Sequence, residues 1–566
     1  MLTLIRIVHL RVDFPGSAVA LLVNAGTKFG RDPVPLFRKR ATGRISFGCG
    51  IGRVVKFIAL IASLACVPWN SAAASAPVRQ PNIIIINIDD LGYADIGPYG
   101  SKNKTPHLDR MAREGRLLTS HYAAPVCSPS RAALMTGCYP KRVLPILSVL
   151  FPSGAVGLNP DEVTIAEVLK SAGYVTACIG KWHLGDQHAL LPTQQGFDSY
   201  YGIPYSNDMG PARDGARTHV GDPLPSATEV AELRANAAST AKGEAGIRGI
   251  DQPPQPLMEN DKVVGRVRAD EQIAFTQRYT ERAVRFIRQQ KERPFFLYLP
   301  HNAVHNPHYP SPNFRGKSPN GRLGDWVEEV DWSVGQVLDA VRDAGLAERT
   351  LVIFTSDNGG ALPHGSNNTP LRGTKGQTFE GGIRVCTIAW WPGRIPAGTR
   401  TDAITSMMDI LPTVAGLAGA NLPSGRKLDG VDVWPVLAGT AGNKPPRDHF
   451  HYFRGFTLEA VRSGPWKLHL PVEDNAAPKK KTKAGKPVLE LYNLNEDIGE
   501  TKNVAAAHPD IVKKLQALAE TMRGDLGLEG IGPGCRPLGR VADPKPLIDF
   551  DGTVRADAVG TQKRFP

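Results

Sequence analysis

Asn82-Ile83-Ile84-Ile85-Ile86-Asn87-Ile88 runs directly into Asp89-Asp90. An apolar, β-branched run of this length reads as a strand buried on both faces, the kind that parallel sheets contain. Two adjacent carboxylates at its carboxyl end are costly to bury unless a cation or hydrogen bonds compensate them. The stretch Leu351 to Thr355 (LVIFT) repeats the pattern, and Asp357-Asn358 follows it with Gly359-Gly360 behind. Asp, Asn and Gly also favour turns at strand ends. Here both pairs stand at parallel-strand ends, where open α/β sheets gather their ligands, and that points to a metal site. Three carboxylates and an amide oxygen suit a hard cation, Ca²⁺ with Mg²⁺ as the alternative, rather than zinc.

Outward from residue 81, strand and helix signals alternate, which predicts an α/β fold built on a large, mostly parallel sheet flanked by helices. Thr105-Pro106 opens a helix that Gly115 stops. Further helices are expected over 165–171, 278–290 and 325–345, and further strands over 174–179 and 294–299. Residues 212–275 are polar and Ala/Gly-rich, and read as a surface insertion near the mouth of the site. Near residue 440 the pattern changes. Residues 459–470 and 489–494 alternate like antiparallel strands, with Lys479-Lys480-Lys481 in a solvated hairpin loop and a closing helix over 509–523.

The chain has 566 residues and a net charge of +13. Residues 1–76 hold ten Lys/Arg and two Asp/Glu, hence +8, and the remainder only +5, so no nucleic-acid footprint is expected beyond the leader. Residues 53–76 read as a secretory signal: Arg53 and Lys56, the short apolar core Phe57 to Cys66, then small residues through Ala76. The expected organisation is a dispensable leader (1–52), the signal peptide (53–76), a catalytic domain (77–440), a C-terminal subdomain (441–530) and an irregular tail (531–566). Export to the periplasm or medium, without stable membrane insertion after cleavage, follows. The seven cysteines (49, 66, 127, 138, 178, 386, 535) show no CxxC or zinc spacing, and no disulfide is assigned.

Cys127-Ser128-Pro129-Ser130-Arg131 leads into the apolar run Ala132 to Gly137. Proline at a first helical position, a cysteine just before it and an arginine one turn on describe a helix start. Free N–H groups and a partial positive charge make such a start a seat for an anion, and Arg131 adds a planar cation suited to oxyanions. A lone buried structural cysteine is the bland alternative. Three other stretches weigh against it. Lys181 and His183, in Gly180 to Gly185, are two apart on an expected extended segment, and so point the same way. His301 and His305 follow the strand 294–299; of the two, His305 is the candidate acid or base, and His301 is read as structural or peripheral. A glycine-rich loop, Leu371 to Gly382, presents Lys375 for close approach to an anion.

Taken together, NIIIINIDDLGYADIGPYG, CSPSR, TGCYPKR, GKWHLG, PFFLYLPHNAVH, TSDNGG, GTKGQTFEGGIRV and LYNLNEDIGETKN resemble a type I, formylglycine-dependent sulfatase of the alkaline-phosphatase superfamily. The likeness spans residues 80–510, about three quarters of the chain, and LPTQQGFDSYYGIPYSNDMGP resembles the arylsulfatase A and N-acetylgalactosamine-6-sulfatase group. The resemblance implies an alkaline-phosphatase-like sheet with a smaller C-terminal antiparallel sheet plus helix. It implies that a formylglycine-generating enzyme oxidises Cys127 to Cα-formylglycine. It assigns Asp89, Asp90, Asp357, Asn358 and residue 127 to the metal, and Arg131 to steadying the hydrated aldehyde. Lys181, His305 and Lys375 fall at sulfate-binding positions, Ser206 at a polar position of the sulfate site, and His183 beside the diol. One diol hydroxyl would attack sulfur, His305 or Lys375 would protonate the leaving oxygen, and His183 would deprotonate the second hydroxyl to release sulfate.

The activity implied is hydrolysis of sulfate esters of carbohydrates or aryl alcohols, with a sulfated small molecule or glycan as substrate. Two alternatives stand beside it: a formylglycine-dependent phosphonate or phosphodiester hydrolase, and a non-catalytic binder of sulfated glycans. The sequence of the loops 212–275 and 310–324 carries no readable code for the natural substrate.

Overall fold

The computed structural model describes residues 80–211, 226–240, 244–249, 251–442, 444–471 and 488–565. The leader, the signal segment 53–76, residues 212–225 of the insertion and the lysine run 479–481 lie outside the described residues. Among the described residues, no helix is long and apolar enough to cross a membrane.

Asn82–Ile88 is the heart of a ten-stranded sheet. Its neighbours are Thr350–Ser356 on one side and Phe295–Pro300 on the other, both parallel to it. Val175–Ile179 and Ser199–Gly202 continue the parallel order outward. On the other side Ile388–Trp390 lies antiparallel to Thr350–Ser356, with Arg116–Leu118 and then Thr399–Thr401 beyond it. Successive isoleucines of the central strand enter opposite faces. Ile83 and Ile85 join a core that contains the helices Cys127–Thr136, Ile165–Ser171 and Ile410–Ala418; Ile84 and Ile86 join a second core with Pro106–Glu114, Phe275–Gln289 and Gly321–Asp343. Period-two alternation with both faces covered is why the run is apolar throughout.

A four-stranded antiparallel sheet, His449–Arg454, Thr457–Ser463, Trp466–His469 and Glu490–Asn493 in that order, is packed by the helix Pro509–Glu520. Its inner residues Tyr452, Ala460, Leu468 and Leu491 belong to the same core as Ile83 and Ile85.

The described part of the insertion differs from the expected surface loop. Ala227–Thr240 is a helix, and Pro256–Glu259 with Lys262–Arg266 forms a hairpin that extends the main sheet antiparallel to Ser199–Gly202. Leu257, Met258 and Val263 bury themselves there, and so few apolar residues gave no readable period. The signature helix begins at Cys127, so Pro129 stands at its third position rather than its first. The first-turn N–H groups have no intrahelical partner, and proline is tolerated anywhere among them.

Candidate active site

Sheet register assembles the acids. Ile88 pairs with Ser356, so the parallel ladder carries Asp89 alongside Asp357 and Asp90 alongside Asn358. The Asp357 N–H donates to the Ile88 carbonyl (2.9 Å), and the Asp90 N–H to Asp357 Oδ1 (3.3 Å). Asp90 adopts φ 59°, an uncommon left-handed conformation for a non-glycine residue. All four side chains are buried. Gly180, at φ 137°, ends the strand that delivers Lys181, and a Cβ there would lie 1.9 Å from the Pro300 carbonyl oxygen, so the approach of the two strand ends requires glycine.

Cations meet these acids one by one. Arg131 grips Asp357 Oδ2 through Nε (3.0 Å) and Nη2 (2.8 Å), and its Nη1 donates to the Lys181 carbonyl (2.6 Å). Lys181 Nζ donates to Asp89 Oδ2 and to Ser206 Oγ (3.2 Å). Lys375 Nζ donates to Asp90 Oδ2 (2.9 Å). His305 Nε2 lies 3.5 Å from Asp90 Oδ2, and the Cys127 thiol donates to Asp89 Oδ1 (3.3 Å). Three carboxylates thus face two lysines and one arginine.

The charge states follow from these contacts. Burial pushes the Asp89 carboxyl up, but Lys181, His305, Arg131 and Lys375 together outweigh it and hold the pKa far below the ordinary value. Asp90 is lowered too, Lys375 and His305 overcoming its burial. Asp357 is raised, by burial and then by the charge of Asp89, against Arg131. Burial, then Asp357 and Asp89, drives the Cys127 thiol well above its usual value. Left as it is, Cys127 is a protonated thiol and a poor nucleophile.

His183 is held far below the usual histidine value by burial and then by the charges of Lys181 and Arg131, so its ring is neutral. Its Nε2 faces the Leu150 carbonyl at 2.9 Å, and a carbonyl can only accept, so Nε2 carries the proton. Nδ1 is therefore an acceptor, buried and without a partner. The chain turns at His183 (φ 64°), so its nearness to Lys181 comes from loop packing and not from the alternation of an extended segment.

Ligand atoms of Asp89, Asp90, Cys127 and His305 all lie within 4.8 Å of one another, a group that could hold a metal ion. Asn358 donates its Nδ2 to Asp90 Oδ1 (2.8 Å), while its Oδ1 is buried with no partner. An orphaned amide oxygen among carboxylates fits a hard cation. His305 thus stands among the acids, whereas Asp357 commits Oδ2 to Arg131. His301 is apart from the site, in contact with Tyr279 and Ser333.

A cleft of about 370 Å³ opens over the group, lined by Asp90, Asp208, His305, His364, Thr374 and Lys375. Asp208 and His364 were not anticipated from the sequence. Asp208 stands two residues beyond Ser206, and that spacing was the available signal; His364 lies in a short 3₁₀ turn, Leu362–His364, with no motif around it.

A family model described as "Sulfatase" matches residues 81–420, and one described as "C-terminal region of aryl-sulfatase" matches 445–529. Mouse steryl-sulfatase is 37% identical over 528 residues, covering 80% of this chain and 84% of that protein. Human arylsulfatase A is 38% identical over 481 residues, covering 79% of this chain and 88% of that protein. Among solved structures, Ps i-CgsB in complex with k-i-k-neocarrahexaose superposes with a TM-score of 0.61 at 32% identity, over 78% of this chain and 92% of that one.

Proposed function

The chain belongs to the sulfatase family and is a sulfuric ester hydrolase, and from that premise we propose that Cys127 is its converted nucleophile and that the acids at the strand ends hold Ca²⁺. The observation that carries this reading is the convergence of three buried carboxylates, two lysines and an arginine on the N-terminus of the helix that begins at Cys127.

Asp89, Asp90, Asp357 and the free Oδ1 of Asn358 are the residues that would hold the ion, with residue 127 beside them. Bound there, a divalent cation supplies positive charge that draws electron density from the sulfate oxygens. Cα-formylglycine, as its hydrate, supplies one hydroxyl to attack sulfur and a second whose loss of a proton lets sulfate depart. The chain's own groups do the rest. Lys181, with Ser206 at its side, and Lys375 bind the other sulfate oxygens and stabilise charge that grows in the transition state. Arg131 holds Asp357 in place. His305, at the cleft wall, hands a proton to the leaving alcohol oxygen. His183, neutral and with a free Nδ1 lone pair, accepts a proton from the second hydroxyl. The balance is an ester and water in, an alcohol and inorganic sulfate out.

The substrate class we propose is a sulfated carbohydrate, with aryl sulfates as artificial substrates. The likeness to a structure solved with k-i-k-neocarrahexaose supports the first and that to arylsulfatase A the second. Export, signalled by residues 53–76, would bring the enzyme to such polymers.

Mass spectrometry of the peptide spanning residue 127 from the native host, with turnover of nitrophenyl sulfate and of a nitrophenyl phosphodiester, tests the reading. An aldehyde in place of the thiol, with sulfate the preferred ester, is expected. An unmodified thiol in fully active enzyme would sink it.

A further inference from the structure

The loop that carries Lys375 is gripped along one flank by the C-terminal sheet. Lys467, on the strand Trp466–His469, is fully buried, and its Nζ donates to the Thr378 carbonyl (2.8 Å) and to Glu380 Oε1 (2.9 Å). The same ammonium lies 2.9 Å from Glu500 Oε1. The ammonium therefore has two hydrogen-bond acceptors and a third oxygen beside it, none of them on the catalytic group. Glu380 also accepts from Tyr122 (2.7 Å) and Tyr452 (3.0 Å), and its N–H donates to Glu500 Oε2 (2.7 Å). Arg372 Nη1 donates to the Glu500 carbonyl (2.8 Å), and the His469 ring lies 4.7 Å from that of Phe379.

Residues 372, 378, 379 and 380 are thus pinned on both sides of Lys375. Between the pins the backbone is soft, with Gly373 at φ 94° and Gly376 at φ 86°. On the catalytic side the loop is held by bonds from Lys375 N and Thr374 Oγ1 to the Gly360 carbonyl (3.2 Å each), from Gly376 N to the Pro125 carbonyl (2.8 Å), from Leu362 N to Thr374 Oγ1 (3.0 Å), from Asn368 Nδ2 to the Gly373 carbonyl (3.1 Å) and from Lys375 Nζ to Asp90. A buried ammonium between two carboxylates is a weak source of net stability compared with apolar packing. What this one supplies is placement.

We propose that Lys467 is a positioning residue for Lys375, acting through the Glu380–Glu500 bridge to set where the Lys375 ammonium meets sulfate. The inference rests on the sulfate-binding role of Lys375 proposed above. It makes the C-terminal sheet part of the catalytic apparatus without contact with substrate.

Kinetics of nitrophenyl sulfate turnover by K467M, K375A and K375A/K467M, read beside melting midpoints and inhibition by inorganic sulfate, test it. K467M is expected to lose roughly tenfold to a hundredfold in kcat/KM, the scale of a displaced catalytic group. The double variant is expected to be no worse than K375A alone, because Lys467 acts through the lysine already removed. Inhibition by sulfate is expected to weaken in K467M, and to be no weaker in the double variant than in K375A. Multiplied losses, or K467M at the parent rate, would overturn the inference while leaving Lys375 its role. K375A at the parent rate would instead remove the role of Lys375 and this inference with it. Because K467M removes one of the cations beside Glu380, which keeps Arg384 (3.1 Å), and the ammonium beside Glu500, K467M/E500Q, which removes charge in balance, runs in parallel and is expected to give the same non-additivity with K375A. A protein that folds in neither form overturns positioning in favour of a purely structural lysine.

Discussion

Asn358 and Asp90 share one hydrogen bond, Nδ2 to Oδ1 at 2.8 Å, and that bond turns the amide oxygen of Asn358 into the site with nothing to accept from. Asp90 is itself ionised under the pull of Lys375 and His305. This pairing predicts cation-linked stability. Ca²⁺ at a hundredfold excess over its Kd should raise the unfolding free energy by about 2.7 kcal/mol. Chelation should lower the melting midpoint and abolish turnover, and Ca²⁺ should restore both. N358A should shrink the shift at the same Ca²⁺ concentration. Identical midpoints with and without metal would refute the site.

The Arg131–Asp357 pair makes a separate prediction. Both side chains are buried, and the two bonds to one carboxylate oxygen need the fork of a guanidinium. Removing one member of such a pair strands a buried charge, at a cost of about 3–5 kcal/mol. R131A should unfold at markedly lower denaturant and lose turnover. R131K should regain little of either, since a point charge cannot reproduce the fork. Parent-like unfolding of R131A would show that Asp357 finds its compensation elsewhere.

The parts of this molecule that were legible in the sequence are those whose physics is local. Ile83 to Ile86 could be nothing but a doubly buried strand, and the acids behind it inherit their place from the parallel ladder. Helices such as Pro106–Glu114 and Ile165–Ser171 carry their own stops and caps, the latter a capping box between Thr164 and Glu167. What could not be read depends on distant partners. The hairpin Pro256–Arg266 is a strand pair because Ser199–Gly202 offers it an edge. The tautomer of His183 is set by the Leu150 carbonyl, and the Lys467–Glu380–Glu500 cluster joins residues that no motif links. His305 reads as an acid or base from its strand-end loop, but only the folded chain brings it into the group with Asp89, Asp90 and Cys127.

The Cys127 thiol should be inert unless converted. Burial and two carboxylates keep it protonated, and its S–H is engaged by Asp89. Protein made without the maturation enzyme should therefore be folded, inactive and slow to react with iodoacetamide at neutral pH, where an ordinary exposed thiol reacts readily. Co-expression of a formylglycine-generating enzyme should restore turnover. Rapid alkylation of residue 127 in the folded protein would contradict the environment described for it.

Part of the acid sensitivity should be traceable to His301, one of several histidines that burial lowers, among them His121, His308 and His451. Burial lowers its ring to about 3, with Ser333 Oγ at 3.3 Å from Nε2 and Nδ1 unpartnered. The unfolded chain titrates the same group near 6.5. Below that pH the unfolded state binds the extra proton, so the contribution of His301 is fully present above about 6.5 and is lost as pH falls toward about 3. The slope is about 1.4 kcal/mol per pH unit for one such group. Glu329 and Asp331, both raised to about 7 by burial, and Asp95 and Asp186, raised to about 6, work in the opposite sense, while other lowered histidines work with His301, so total stability mixes them all. The difference between parent and H301Q isolates the histidine. Denaturant unfolding across pH 4–7 should find the stability gap between them narrowing toward acid at about that slope, because only the parent carries this titrating ring. A gap that stays constant with pH would mean that His301 takes up its proton as readily in the folded protein as in the unfolded chain.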